Sequence, residues 1–358
     1  MPRIIAHLDM DAFFAAIEAR DTPAFRGVPL VVGADPRGGK GRGVASTSNY
    51  LARAYGIHSA TPISTAWRLS EAARRAGKPP VSFVSVDMTK YARVSDEVMG
   101  IVRRFIPIVE QASIDEAYGD LSFTESYEGA EGLCRRLKEA IRSEEQLTAS
   151  IGIGPNKLIA KIASGMHKPD GLTVVREDEA ESFLAPLSVR AIPGIGPKTE
   201  ATLMKKGIRL VKDLKSYDVF QLDELLGKRG VDLYDKIRGL DASRVEEFSE
   251  PKSIGEQETF ESDTRESQAL VGQLEVLAKD VIDRLRREGV KSFRTVVLTV
   301  RFADFETKSR AHTLARPASD AGTLQREALK LLLPFLDRRE NPHRKLFRLL
   351  GVRVEKLE

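Results

Sequence analysis

Short apolar runs bounded by acidic residues, glycine or proline read as strands, and stretches with an apolar residue every third or fourth position read as helices. Residues 1–9 form an apolar strand ending on Asp9, and a short helix follows over residues 12–18 with Asp11 as its N-cap. Residues 28–33 form a second strand. The glycine-rich stretch 34–43 reads as a flexible connection; it is no phosphate loop, because Lys40 precedes Gly41 where a Ser or Thr would be needed. Helical periodicity over 50–73 breaks at Thr61-Pro62, residues 81–86 return to strand, and helices over 89–105 and 128–143 flank a hairpin at Asp115-Glu116. Residues 148–153 are a further strand, and 177–241 are helical. Beyond a linker at 242–253 come a strand (254–260), a helix (267–288), two strands (294–302 and 308–314), a helix (321–336) and a strand (345–356), a recurring β-α-β-β-α-β unit. Strands interleaved with long helices predict an α+β fold with helices on one face of a sheet.

Composition narrows the class. A chain of 358 residues has room for two to four domains, and its one cysteine, Cys134, excludes an internal disulfide framework. No segment has the roughly 18 apolar residues of a membrane span, and no targeting peptide is visible, so a cytoplasmic, non-membrane protein is expected. The net charge of +4 lies entirely in residues 251–358, with 21 Lys and Arg against 17 Asp and Glu. Between Arg284 and Arg316 nine basic residues face three acids, the electrostatic footprint of a polyanion partner.

The candidate chemistry rests on carboxylates. Asp9 ends one apolar run and Asp115-Glu116 another, where an ionised group is costly unless paired or metal-bound. Neighbours on a regular strand point to opposite faces, so Asp115 and Glu116 reach one site only at a turn. Oxygen donors without a His or Cys cluster favour Mg²⁺ or Mn²⁺ over zinc, and two such ions roughly 3.5–4 Å apart suit nucleotidyl transfer. Separately, the string Ile192-Pro193-Gly194-Ile195-Gly196-Pro197-Lys198 resembles a helix-hairpin-helix turn, which would offer the backbone N–H groups of Gly194 and Gly196 and the Lys198 ammonium to a DNA phosphate.

Four segments carry a wider resemblance: Leu8-Asp9-Met10-Asp11-Ala12-Phe13-Phe14, Ser46-Thr47-Ser48-Asn49-Tyr50-Leu51-Ala52-Arg53, Ala112-Ser113-Ile114-Asp115-Glu116-Ala117-Tyr118 and the stretch from Gly152 to Ala163. In order and content they resemble the signatures of the Y-family translesion DNA polymerases, DinB branch. The resemblance implies a right-hand architecture: a ferredoxin-like palm (1–10 and 78–174), small fingers (11–77), a helical thumb with the helix-hairpin-helix (175–241), a linker (242–253) and a βαββαβ little finger (254–358). It implies a template-directed DNA polymerase of low fidelity that bypasses damaged bases and binds primer–template DNA and deoxynucleoside triphosphates. Asp9, Asp115 and Glu116 match the catalytic carboxylates; with the Met10 carbonyl they match the ligands of two Mg²⁺ ions, which Mn²⁺ can replace.

Tyr50, Arg53, Lys161 and Thr47 match triphosphate contacts, and Phe14 matches the steric gate, an apolar ring that leaves no room for a 2′-hydroxyl. Phe13 is grouped with the nucleotide contacts but reads as a core ring. Arg294, Arg301 and Arg310 would follow the DNA backbone from the little finger. A monomer is expected, with a sliding clamp as a further partner, although Val354-Glu355-Lys356-Leu357-Glu358 carries no apolar clamp peptide. Two rival functions fit less well. A nucleotidyl cyclase needs neither the helix-hairpin-helix turn nor a basic accessory domain, and a non-catalytic scaffold should have lost one of the three carboxylates.

Overall fold

The computed structural model describes residues 2–248 and 250–358, and the chain divides into two compact units, Met1–Phe248 and Ser249–Glu358. The first is built round a five-stranded sheet in the order Val109–Gln111, Glu116–Asp120, Ile5–Met10, Ala149–Gly154, Leu172–Val174, antiparallel except for the last pair. Strand alternation in Ile5–Met10 sends Ala6, Leu8 and Met10 into a core shared with helices Met88–Phe105 and Tyr127–Glu145, which leaves His7 and Asp9 on the other face. Helix Lys157–Ser164 covers part of that face. It lies so close that a Cβ on Gly152, the register partner of His7, would stand 2.1 Å from the Ala160 carbonyl oxygen and 2.3 Å from the Ser164 nitrogen.

The cap expected of Asp11 belongs to its neighbour. Ala12, left-handed at φ 48°, precedes helix Phe13–Asp21 with no side-chain cap, and the Asp11 carboxylate points back into the unit. A second, three-stranded sheet has the order Ala45–Ser48, Leu30–Gly33, Ser82–Ser85, with the last two parallel. It therefore takes a strand from beyond residue 77. Its own small core is Val31, Ala45, Ala52, Ile57, Ile63, Ala66 and Val81, while Leu30 and Val32 point into the large core. The glycine-rich stretch, expected to be flexible, is a folded turn. The Gly41 N–H donates to the Pro36 carbonyl at 2.8 Å, and Gly39 packs on Trp67 so closely that a Cβ would come within 2.8 Å of the indole.

The helical stretch is as expected, with helices Ala180–Leu184, Pro197–Met204, Val219–Leu226 and Lys228–Lys236 packed on Leu158, Ile159 and Ile162. The chain beyond them is fastened rather than loose at its start: Arg3 donates to the Asp241 carbonyl at 3.0 Å, the Leu158 N–H to Asp241 Oδ2 at 3.1 Å and the Glu246 N–H to Glu110 Oε2 at 3.0 Å. In the second unit the predicted β-α-β-β-α-β order is present. The strands lie antiparallel in the order Thr307–Ala318, Phe293–Phe302, Phe347–Leu357, Ser253–Thr264, with helices Ser267–Arg287 and Ala321–Leu336 packed on the core. Among the described residues, no helix is long and apolar enough to cross a membrane.

Candidate active site

Register brings the distant carboxylates together. Asp9 and Glu116 are direct partners across antiparallel strands, so their side chains leave the same face, and the Met10 N–H donates to the Asp115 carbonyl at 3.0 Å, which fixes the hairpin turn beside them. Ser113 shapes that turn: its hydroxyl donates to Asp115 Oδ1 at 2.7 Å and accepts the Glu116 N–H at 3.0 Å. Asp9 and Glu116 are one-fifth and one-quarter exposed, open to a ligand yet desolvated enough to attract one. Among the described residues no three His, Cys, Asp or Glu side chains are already gathered as a metal cage. The reason is visible at each carboxylate, since every one has another partner. The oxygen donors of Asp9, Asp115 and Glu116 nevertheless fit a hard dication in kind.

Glu116 is held by Lys161, whose Nζ donates to Oε2 at 2.7 Å. The close seat of helix Lys157–Ser164 over Gly152 is what lets Lys161 reach it. His7 lies beneath, fully buried, with Nδ1 2.8 Å from Ser164 Oγ and Nε2 3.3 Å from Lys161 Nζ. Ser164 Oγ gives its proton to the Lys161 carbonyl at 2.8 Å, which assigns Nδ1–H as donor and Nε2 as acceptor. Burial pushes the imidazole pKa down. The His7 ring and the Lys161 ammonium hold the Glu116 carboxyl down to about 2 against the opposing effect of burial. Because the ring is driven toward neutrality, the ammonium is the partner that carries this. On Asp9, burial pushes the pKa up, and the ammonium of Lys168, paired with Oδ1, opposes it.

Asp11 is a buried hub. It accepts from the Asp170 N–H at 2.7 Å, from Ser150 Oγ at 2.8 Å and from Tyr50 Oη at 3.3 Å. Tyr50 opens helix Tyr50–Arg53, capped by the Asn49 side chain, and Arg53 lies over its ring at 4.6 Å while donating to the Ser48 carbonyl at 3.0 Å. Burial, and then the Asp11 charge, push the Tyr50 pKa up to about 12, so the phenol keeps its proton as a donor. Thr47 sits on the adjoining strand opposite Val32, half-buried. Phe13 is fully buried in the core, as its apolar pattern implied. Phe14 is half-buried and stacks on Tyr91 at 4.2 Å and 11°. Tyr91 is fixed in turn by its hydroxyl, which donates to the buried Glu18 at 2.8 Å.

Elsewhere the predicted contacts separate. Gly194, at φ 100°, forms the tight turn, Gly196 caps helix Pro197–Met204, and Lys198 is exposed at its start. The three arginines of the second unit do not share one face. Arg310 is the register partner of the core residue Leu298 and pairs with Glu340 on the helix-covered side. Arg301, three residues after Leu298, projects from the opposite face and donates to Thr307 Oγ1 at 2.9 Å; Arg294 is half-buried beside a register shift. Sequence reasoning missed Lys168, Tyr91 and the hub role of Asp11. Only the polar Lys168-Pro169-Asp170-Gly171 turn gave a local signal.

Residues 8–165 match the impB/mucB/samB family, residues 251–358 match that family's C-terminal domain, and residues 190–241 match the thumb domain of DNA polymerase-iota. The chain is 45% identical over 358 residues to a DNA polymerase IV 2 of Methanosarcina mazei, covering 99% of this chain and 92% of that protein. It is 45% identical over 356 residues to a DNA polymerase IV of Methanoculleus marisnigri, covering 99% and 95%. Among solved structures it is similar to a Y-family DNA polymerase chimera (TM-score 0.84, 26% identity, 99% of both chains) and to an insertion ternary complex of Dbh DNA polymerase (TM-score 0.68, 27% identity, 98% of both chains).

Proposed function

The chain belongs to the Y-family translesion DNA polymerases, in the DNA polymerase IV branch, and from that premise we propose how its residues extend a primer. The observation that carries the reading is the cross-strand pairing of Asp9 with Glu116 beside the Asp115 turn. The family depends on divalent metal; we take the ions to be two Mg²⁺, replaceable by Mn²⁺, held by Asp9, Asp115, Glu116 and the Met10 carbonyl. Bound there, they supply the charge that acidifies the primer 3′-hydroxyl and steadies the departing pyrophosphate.

The rest falls to this chain's own groups. Tyr50, Arg53 and Lys161 donate to phosphate oxygens as negative charge moves onto the leaving group, and Thr47 assists. Phe14, backed by Tyr91, walls the sugar and excludes a 2′-hydroxyl. Residues 1–10 and 86–174 act as palm, 11–85 as fingers, 175–241 as thumb and 254–358 as little finger, the fingers running to Ser85 because Ser82–Ser85 pairs with Leu30–Gly33. The thumb turn at Gly194, Gly196 and Lys198 grips the DNA backbone, as does Arg301; a sliding clamp is a further partner.

Primer extension with four deoxynucleoside triphosphates, on intact and abasic templates, with Mg²⁺ or Mn²⁺ and with chelator, tests this reading. Metal-dependent extension past the abasic site is expected. Templated synthesis that survives chelation, or none with either ion, would refute it.

A further inference from the structure

The chemistry proposed above gives His7 no part, yet this fully buried ring has both nitrogens turned to groups around Lys161. We propose that His7 is a positioning residue: its Nε2 lone pair takes one N–H of the Lys161 ammonium and so fixes the direction in which that ammonium meets a phosphate. This rests on the reading of Lys161 as a triphosphate contact.

The inventory of donors is the first argument. A lysine ammonium has three N–H donors and no acceptor. In Lys161 one goes to Glu116 Oε2 at 2.7 Å and one to His7 Nε2 at 3.3 Å, and the one-third-exposed side chain leaves the last for a ligand. Glu116 is itself a proposed metal ligand, so its hold on Lys161 slackens when metal enters, and His7 is the partner that stays. An uncharged acceptor suits that place. A second carboxylate would bind the ammonium about twice as strongly and hold it back from phosphate, whereas an imidazole nitrogen orients it and leaves its charge free to act.

The second argument is how the ring is held. Its Nδ1 lies 2.8 Å from Ser164 Oγ, and the Tyr118 ring packs on it at 4.6 Å and 57°. Ser164 Oγ in turn donates to the Lys161 carbonyl at 2.8 Å. The hydrogen bonds therefore close a loop, from the Lys161 ammonium to His7, from His7 to Ser164 and from Ser164 back to the Lys161 backbone. Protons can run round it in one direction alone, because the ammonium only donates and the carbonyl only accepts. Each member thus fixes the next, and the residue whose side chain is aimed is the residue whose backbone anchors the loop. An apolar side chain would fill the same buried volume without the cost of desolvating a polar ring, so a merely space-filling role leaves the imidazole unexplained.

The test uses the full chain as wild type, His7→Asn, His7→Gln, Lys161→Met and the double variant His7→Asn with Lys161→Met. Binding of dATP is measured in Ca²⁺ on a dideoxy-terminated primer–template, and unfolding midpoints check that each variant is folded. His7→Asn keeps a donor for Ser164 but is too short to reach Lys161, and should bind dATP about tenfold more weakly; His7→Gln carries an amide oxygen out to the Nε2 position and should stay within about threefold of wild type. The double variant should bind dATP no more weakly than Lys161→Met, because the effect runs through that ammonium, whereas a merely structural histidine would add its loss in both backgrounds. Wild type labelled with ¹⁵N-histidine, the His7 signals being those of the five histidines that vanish in His7→Gln, should show a protonated Nδ1 and a bare Nε2. Binding of dATP by His7→Asn equal to wild type, additive losses in the double variant, or a proton on Nε2 overturns the proposal. Unaltered dATP binding in Lys161→Met overturns the triphosphate reading beneath it, whereas weakened binding there with a silent His7→Asn overturns only the role of His7.

Discussion

Gly152→Ala adds one methyl group at a position that touches no reacting atom, yet it should disable the site. The new Cβ would stand 2.1 Å from the Ala160 oxygen, 2.3 Å from the Ser164 nitrogen and 2.8 Å from the Ala163 carbonyl carbon, against 3.4 Å for an ordinary contact. All three are backbone atoms, so no side-chain rotation relieves the overlap. Helix Lys157–Ser164 must retreat by more than 1 Å or the strand must buckle. Overpacking of that kind costs about 1–3 kcal/mol of stability. Retreat also stretches the 2.7 Å bond from Lys161 to Glu116 and the 2.8 Å contact of Ser164 with His7 beyond hydrogen-bonding length. Because a misplacement of about 1 Å can cost roughly a hundredfold in rate, single-nucleotide incorporation should fall by about that factor. Urea unfolding and single-turnover incorporation measure the two effects. Gly100→Ala is the control: it lies in helix Met88–Phe105 with nothing near its Cβ position and should gain about 0.5–1 kcal/mol. Incorporation within threefold of wild type in Gly152→Ala, with unchanged unfolding, would refute the close-packed seam.

Other outcomes are as specific. Asp115→Asn and Glu116→Gln should each abolish primer extension while DNA binding by anisotropy persists; extension within tenfold of wild type would remove that carboxylate from the metal set. Phe14→Ala should raise ribonucleotide use relative to deoxynucleotide by about a hundredfold in competitive incorporation, since exclusion by overlap is worth several kcal/mol and each ~1.4 kcal/mol is tenfold. Phe13→Ala, its buried neighbour, should instead lose about 3–5 kcal/mol of stability and leave sugar choice alone. Arg301→Ala should lower the salt-dependence slope of duplex DNA binding by roughly 0.9, whereas Arg310→Ala, on the covered face with Glu340, should leave it unchanged.

Much of this site was legible because it follows from strand ends. An apolar run closing on Asp9 and a turn at Asp115-Glu116 needed only antiparallel pairing to bring the acids together, and the register supplied it. What was hidden depended on tertiary placement. Asp11 has the sequence look of a helix cap, but Ala12 takes the left-handed conformation and releases the carboxylate to three partners on other segments. Lys168 is an ordinary polar-turn lysine until the turn is folded back on Ser150 and Asp11. Tyr91 lies in a helix whose apolar spacing marks it as core, which it is, and nothing in that spacing says that Phe14 stacks on it. Counting charges joined Arg310 to Arg301, and only the pairing of Arg310 with Leu298 separates them. Ser82–Ser85 likewise has no signal of its own to say that it joins the sheet of Leu30–Gly33.

The small core beneath the three-stranded sheet sets the compliance of the molecule. Three of its seven buried residues are alanines, so little apolar surface holds it shut, whereas the five-stranded sheet is backed by a long run of leucine, isoleucine, valine and aromatic side chains. Opening free energy scales with such local burial, and amide protons around Ala45–Ser48 and Tyr50–Arg53 should exchange through partial openings that leave Ile5–Met10 protected. Tyr50 and Arg53 thus ride on the yielding layer and Asp9 and Glu116 on the stiff one.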